Sequence, residues 1–484
     1  MAITSDNALL NRNVTKFLTE NFTRTFYPSP NIPEHKIFIM KDAPHFIKSV
    51  RNCWLNLRNP LKTFVFPPFK DLSFGRDASF KFIRDLFDSE KEKCMKLGFK
   101  LTYSSVYPSS IERQKVPLAL KIFDQTTSAA VETVFPERAG LFNFLRLIDR
   151  VWKCFNVNTT SKGLFLNDPD CRPFKHPSDC RLKFLRDFAD WLDEWKEETS
   201  NYGKLSSQTF FSLSFSSRSL ADAIEYLLCS CGYNFVLTAT FSSDCIEGLF
   251  GIYRQSVGRS FHMTHDQAQA IEKKMRMKSS IELQGKIIKL DDSLPLPSAD
   301  SFVVYDSIDI DFSQFAEFDE NEKESAYYLG VYNAKKLSKT AKCKTCLNSF
   351  RLSHEDKDAD FAFTTYFDAI NRGRLTMPRL ELVHIVLKCS RFFDKYLGEH
   401  IGVNQVSLSC LIELFFRLLE DIGDLDSLPS CADHPDGVGK LLDQSSTIFS
   451  KVSLKNFTQF KNDQSKSEKP KLAKLSRNDG ELQK

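Results

Sequence analysis

The sequence predicts an α/β element followed by mostly helical regions, a fold of the α/β plus α kind, and three observations carry that reading. Short apolar runs alternate with amphipathic segments over the first sixty residues. Helical periodicity then fills most of the chain from about 70 to 424. Phenylalanine, with 44 copies in 484 residues, supplies bulky side chains suited to helices packed on thick cores.

The elements follow in order. "MAITSDN" reads as the tail of a short buried strand, and "NALLNRNVTKFLTENF" as a helix with Leu10, Val14, Phe17 and Leu18 on one side. "HKIFIM" reads as a second strand over Ile37 to Met40, and "KDAPHFIKSVRNCWLNL" as a second helix. Strand, helix, strand, helix means parallel pairing, so residues 1–60 form the first part of an α/β domain. The three prolines of "NPLKTFVFPPF" mark a boundary near residue 60. Residues 61–235 form a helical insertion, built from segments such as "AGLFNFLRLIDRVWKCF" and "CRLKFLRDFADWLDEWKEE". Its last helix carries Leu220, Ile224, Leu227 and Leu228 and stops at Gly232.

Residues 236–262 complete the α/β part around "FSSDCIEGLFGIYRQ". Asp244 stands where an N-cap would, Glu247 completes a capping box, and Ile246, Leu249, Phe250 and Tyr253 line one face. Residues 263–325, with "LPLPS" and the acidic "DSIDIDFSQFAEFDENEKE", read as a linker. A helical C-terminal region spans 326–424, and the basic stretch 450–484 lacks apolar periodicity and reads as disordered.

Composition narrows the class of function. With 66 Lys+Arg against 62 Asp+Glu, a net charge of +4 confines any nucleic-acid surface to a local patch. The sequence offers neither a secretory leader nor the roughly 18 consecutive apolar residues of a membrane span. Thirteen cysteines without framework spacing read as reduced thiols. The expectation is a nuclear or cytoplasmic protein that is not secreted.

Few positions carry chemistry. Asp6 and Asp42 each close a strand or open a helix, where α/β folds present ligand-binding groups, although an acid at such a position is more often a helix cap than a metal ligand. His45 follows in "DAPH". "CKTC", Cys343 and Cys346, has the spacing of half a zinc knuckle, with His354, or His262 and His265, as candidates to complete it; two reduced thiols on a helix end is the other reading. Phosphate-binding glycine loops of either common type are absent. Lysines cluster in "NAKKLSKTAKCK" and in the tail, either as phosphate contacts or as solvated surface.

Taken together, several segments resemble the P-element type of transposase and the THAP-domain proteins related to it. "ITSDN" with "NRNVTKFL", then "IFIMKDAPHFIKSVRN" with "FVFPPF", resembles the middle of that family's RNase H-like domain. "LSSQTFFSLSFSSRSLADAIEYLL" with "YNFVLTATFSSDCIEGLFGIYRQSVG" is similar to the segment bearing its last catalytic acid, and "YYLGVYNAKKL", "CKTC" and "DAINRGRLTMP" resemble motifs of its C-terminal region. The resemblance implies a partial RNase H-like domain interrupted by a helical insertion that binds GTP. It makes Asp6 and Glu247 two of three carboxylates holding Mg²⁺ for DNA strand cleavage and transfer, with Asp42 and Asp244 in support. Expected partners are DNA and copies of the chain itself, with no membrane.

The departures shape the expected function. The family's first acid, in an Asp-Glu-Met type motif on the first strand, has no counterpart here, so the chain reads as a transposase-derived protein inactive on its own; a non-catalytic DNA- or protein-interaction scaffold is the alternative. In the insertion, "RVWKCFNVN" aligns with a family pattern of Phe-Asp-x-x-Asn that contacts guanine. Asn156 is kept, but Trp152 stands for the Phe and Lys153 for the Asp. An ammonium accepts no hydrogen bond from guanine, so weak GTP binding is expected.

Overall fold

A computed structural model describes residues 2–6, 8–56, 61–70, 76–198, 203–256, 264–284, 318–341, 343–351, 364–373, 375–400, 411–412, 415–416, 431–434 and 437–481. The chain forms two compact units, a larger one of residues 1–241 with 312–484 and a smaller one of 242–311.

In the larger unit, β1 (Ala2–Ser5), α1 (Leu9–Leu18), β2 (Phe26–Pro28), β3 (Lys36–Lys41) and α2 (Ala43–Trp54) come first. β1 pairs with β3 in parallel, Ala2 opposite Phe38 through Ser5 opposite Lys41, and β2 pairs with β3 in antiparallel sense. The order β1-β3-β2 makes β1 an edge strand. The parallel pair and its helical connection agree with the strand–helix alternation of the sequence. β3 is buried at Phe38, Ile39 and Met40 because helices cover it.

α1 departs from expectation in phase rather than in kind. Its apolar stripe faces outward, with Leu10 73%, Val14 48% and Phe17 83% exposed, while Thr15 is buried. Thr15 turns inward because its hydroxyl meets the buried Lys41 ammonium at 2.9 Å.

β4 (Thr63–Val65) and β5 (Asp77–Ser79) form a two-stranded antiparallel sheet. Helices then fill the unit: α3 (Lys81–Glu90), α4 (Tyr103–Val106), α5 (Val116–Phe123), α6 (Gln125–Val134), α7 (Ala139–Phe155), α8 (Lys162–Phe165), α9 (Cys180–Glu197) and α10 (Ser207–Cys229). Gly232 follows α10 with φ +68, the left-handed backbone that glycine adopts without strain. One continuous core joins Phe38 and Trp54 to Phe64, Phe144, Trp195 and Val236. Trp54 stacks on Phe64 with centroids 5.3 Å apart and donates its indole N–H to Ala78 O at 3.1 Å, so its burial strands no polar group. α10 lies on β3 and α9 through buried serines; Ser216 Oγ accepts from Lys41 N at 2.9 Å.

The smaller unit contributes α11 (Asp244–Ser256) and α12 (His265–Gln284), joined by the Tyr253 hydroxyl donating to Glu272 at 2.9 Å. α12 occupies the start of the stretch read as linker, whose residues 285–317 lie outside the described ones. In the larger unit follow α13 (Glu320–Thr340), α14 (Lys344–Asn348), α15 (Thr365–Ile370), α16 (Leu380–His400) and α17 (Gly437–Glu481). Glu324 holds α15 by accepting from Thr365 N and Tyr366 N at 2.9 and 3.1 Å.

The stretch 450–484, read as disordered, instead continues α17 as far as Glu481. Its helix docks through side chains rather than through a regular apolar stripe. Asn456 Nδ2 donates to Cys94 O at 2.6 Å, Asp463 accepts from Tyr103 N at 3.0 Å, and Ser450 and Ser453 are buried.

Candidate functional site

The parallel register fixes where the first acids stand. Since Ser5 lies opposite Lys41, Asp6 and Asp42 leave the same end of neighbouring parallel strands, and Asp42 N donates to Ser5 O at 2.9 Å. Asp6 Oδ1 accepts from Ala8 N at 3.0 Å and from Asn11 Nδ2 at 2.6 Å, a turn that leads into α1. These two bonds hold its carboxyl below the usual carboxylate range, aided by His45 and Lys41 nearby. Asp42 is 1% exposed at the N-cap of α2, where its side chain makes no capping bond; its Oδ2 stands 3.8 Å from His45 Nε2.

Lys41 closes the group. Its Nζ donates to Ser5 Oγ, Asn11 O and Thr15 Oγ1 at 3.1, 3.2 and 2.9 Å. Burial pulls this ammonium down to about 8, with Asp6 opposing the shift. Among the described residues Asp6 belongs to no group of three or more metal-ligating side chains. At this end of the strands the larger unit thus sets two carboxylates, Asp6 and Asp42, together with the imidazole of His45 and the ammonium of Lys41.

Glu247 lies in the smaller unit, exposed in the first turn of α11. Helical geometry begins at Asp244 rather than after it, so Ser243 takes the position before the helix: its carbonyl accepts from Ile246 N and Glu247 N, and its hydroxyl donates to Glu247 Oε1 at 3.4 Å. Asp244 is exposed and its N–H meets Ser242 Oγ at 3.1 Å.

The residues aligned with a guanine site are occupied otherwise. Asn156 is the C-cap of α7 and Trp152 packs against the core. Lys153 Nζ lies 2.5 Å from Asp149 Oδ2 and 3.2 Å from Asp168 Oδ2, and Asp168 also pairs with Arg372 at 2.5 Å. Burial disfavours charge on Lys153, yet the two carboxylates hold its ammonium above the usual range. Lys153 itself, an ammonium, accepts no hydrogen bond, and the Asp149 and Asp168 carboxylates beside it are engaged with Lys153 and Arg372.

Cys343 and Cys346 sit at and just inside the start of α14, beside Cys431 and His434. His354 and His262 lie outside the described residues, and His265 pairs with Asp266 in the smaller unit. The "CADH" peptide had the same two-residue spacing, which is the signal by which it could have been found.

A groove of about 690 Å³ also escaped the sequence reading. Lys115 and Lys121 line it from α5 and its approach, and Lys451 and Lys455 from α17, with Glu112 and Asp463 the acids. Its lysines come from segments more than 300 residues apart, so no local cluster announces them.

No family model matches the chain. It is similar to the Transposable element P transposase of Drosophila melanogaster, 23% identical over 271 residues, which is 54% of this chain and 33% of the relative. It thus spans about a third of the length of that curated relative. A chain of the Drosophila P element transposase strand transfer complex resembles it with a TM-score of 0.48 and 20% identity, covering 56% of this chain and 58% of that one. Sequence over half its length thus makes the chain a protein related to P-element transposase.

Proposed function

We propose that this chain is a transposase-derived protein that binds DNA in the nucleus and carries a remnant of a Mg²⁺-dependent strand cleavage and transfer site, without cutting or joining DNA by itself. The observation that carries the reading is the sequence match to a transposase over 271 residues. The parallel β1–β3 pair followed by Asp6 suits part of an RNase H-like sheet, with Asp6 and Glu247 the descendants of catalytic acids. Inactivity is the expectation because the sequence has no counterpart of the family's first acid, without which two ions lack fixed positions. For DNA, the groove lined by Lys115, Lys121, Lys451 and Lys455 gathers four lysines on a chain of nearly balanced charge.

Nicking and strand-transfer assays with Mg²⁺ or Mn²⁺ test the first part, alongside Glu247→Ala; the expected result is no product from either, and product lost in the variant would overturn inactivity. Fluorescence anisotropy against duplex DNA at several salt concentrations tests the second. Replacing the four lysines by alanine should weaken binding and flatten the salt slope by up to about 3.6, at roughly 0.9 for each phosphate no longer neutralised. An unchanged slope would exclude the groove.

A second reading, a protein-interaction scaffold, is favoured by the exposed stripe of Leu9, Leu10, Val14 and Phe17 on α1. Pull-down by the wild type but not by a variant with serine at these positions, in the absence of DNA binding, would favour it.

A further inference from the structure

We propose that Cys343, Cys346, Cys431 and His434 form a structural zinc site that clamps the start of α17 to α14. Each half is a local turn. Cys343 caps α14, and Leu347 N donates to Cys343 O at 3.2 Å, so the Cys346 sulfur three residues on shares its side of the turn. In "CADH", His434 N donates to Cys431 O at 3.2 Å, and the same three-residue step sets the imidazole beside the thiol. The two halves come from positions 88 residues apart.

The distances select a four-coordinate ion. Cys343 Sγ and Cys431 Sγ are 3.9 Å apart, Cys431 Sγ and His434 Nδ1 3.8 Å, and all four donor atoms lie within 4.8 Å of one another. A tetrahedron with bonds of about 2.3 Å to sulfur and 2.0–2.1 Å to nitrogen has sulfur–sulfur edges of about 3.8 Å and sulfur–nitrogen edges of about 3.5 Å. A disulfide would need about 2.05 Å between Cys343 and Cys431, so the thiols are gathered without being bonded. Three soft sulfurs and one imidazole match zinc in a closed site, with no position left for substrate.

The surroundings are built to this packing. Cys346 and Cys431 are buried at 4% and 2% exposure, where three neighbouring thiols have little else to gain from proximity. The backbone of α17 starts against the Cys346 sulfur: a Cβ added to Gly437 would stand 2.5 Å from it, and Gly437 N donates to His434 O at 2.8 Å. Glycine at this position lets the helix begin where its first turn closes over the sulfur. Thr340 Oγ1 donates to Gln444 Oε1 at 2.7 Å, tying the end of α13 to the same helix. A metal there cross-links two segments 88 residues apart in the chain, and such a link removes more freedom from the unfolded chain the further apart its ends are.

The full chain, purified after growth with added zinc and dialysed against a weak chelator, should retain about one zinc per chain by plasma mass spectrometry. Cys431→Ser should lose most of it, and His434→Cys, which restores a fourth soft ligand, should keep it. Cobalt exchanged into the wild type should show thiolate charge-transfer and intense tetrahedral ligand-field bands. Alkylation mapped by mass spectrometry keeps the proposal testable if Cys431→Ser fails to fold: exposed Cys180, Cys229 and Cys231 should react at once, and Cys343 only after a strong chelator. Trace zinc in the wild type, equal reaction of Cys343 before and after chelation, or recovery of a Cys343–Cys431 disulfide would overturn the proposal.

Discussion

Lys41→Met should make the protein's stability less dependent on alkaline pH. Lys41 is 2% exposed at the end of β3, and burial pulls its ammonium from 10.5 to about 8. Between these values the unfolded chain holds a proton that the folded chain has released, so stability rises with pH across that window. Below about pH 8 both states are protonated and the folded state carries the full cost of a buried charge. The gap is worth about 3 kcal/mol, at roughly 1.4 kcal/mol per pH unit. Methionine keeps the apolar stem and removes the ammonium. The three acceptors it leaves are not stranded, because Thr15 Oγ1 already donates to Asn11 O at 2.7 Å and Ser5 keeps a rotatable hydroxyl. With about 1 kcal/mol lost per hydrogen bond, the variant should lie within about 1 kcal/mol of the wild type near pH 7. Urea unfolding at intervals from about pH 7 to about pH 10 reads both slopes, and their difference isolates Lys41 from other titrating groups. Parallel curves for the two proteins would refute the account of Lys41 as a costly buried cation.

Four further outcomes are expected. Lys153→Asp would gather three carboxylates around position 153 with Arg372 as the nearby cation, and should cost about 3–5 kcal/mol in urea unfolding while calorimetry shows no gain in GTP binding. Glu324→Ala removes the acceptor of two buried backbone N–H groups at the start of α15 and should cost about 2–3 kcal/mol; a change under about 0.5 kcal/mol would show that the turn finds other acceptors. Phe17→Ser and Leu10→Ser on the outward face of α1 should each alter stability by less than about 0.5 kcal/mol, and a large loss by thermal melting would mean that this stripe is packed. Asp6→Asn keeps an oxygen for Ala8 N and should leave the melting temperature within a few degrees, whereas Asp6→Ala, which removes that acceptor, should lower it further.

Periodicity made the alternating elements of the first sixty residues legible, since β3 and α2 bury the apolar faces that the sequence displays. It misjudged α1, where Leu10, Val14 and Phe17 predicted an inward face that Thr15 takes instead. The competing effect was a buried ammonium: Lys41 needs oxygen acceptors, and the polar side of α1 supplies them. α17 was missed for a related reason. Its docking residues include Ser450, Ser453, Asn456 and Asp463, which read as solvated in a stretch rich in lysine. The Cys343 and Cys346 pair was legible by its spacing, while its companions Cys431 and His434 stand 88 residues and more beyond Cys343, out of reach of any local spacing. Lys153 could be seen to disqualify a guanine acceptor, but its own partners Asp149 and Asp168 could be known only from the fold.

Both carboxylates singled out as catalytic descendants already have local bonds. Asp6 Oδ1 receives Ala8 N and Asn11 Nδ2, and Glu247 Oε1 receives the Ser243 hydroxyl. Bonds of this kind are worth about 1 kcal/mol each, enough to favour an acid at a helix start with no metal involved. Helix building and metal binding therefore ask for the same residue type at the same place, so the presence of either acid does not by itself separate an enzyme from its remnant. What separates them is the neighbourhood. A two-metal centre neutralises clustered acids with its ions, so the charges around each acid decide how strongly a divalent ion is held. Beside Asp6 the larger unit places a second carboxylate, Asp42, and also Lys41, whose ammonium interacts favourably with the Asp6 carboxylate and would repel an arriving divalent ion. The charge at the end of the parallel strands is therefore mixed, with the Asp6 and Asp42 carboxylates beside the Lys41 ammonium, and this balance rather than the presence of either acid is what an arriving divalent ion would meet.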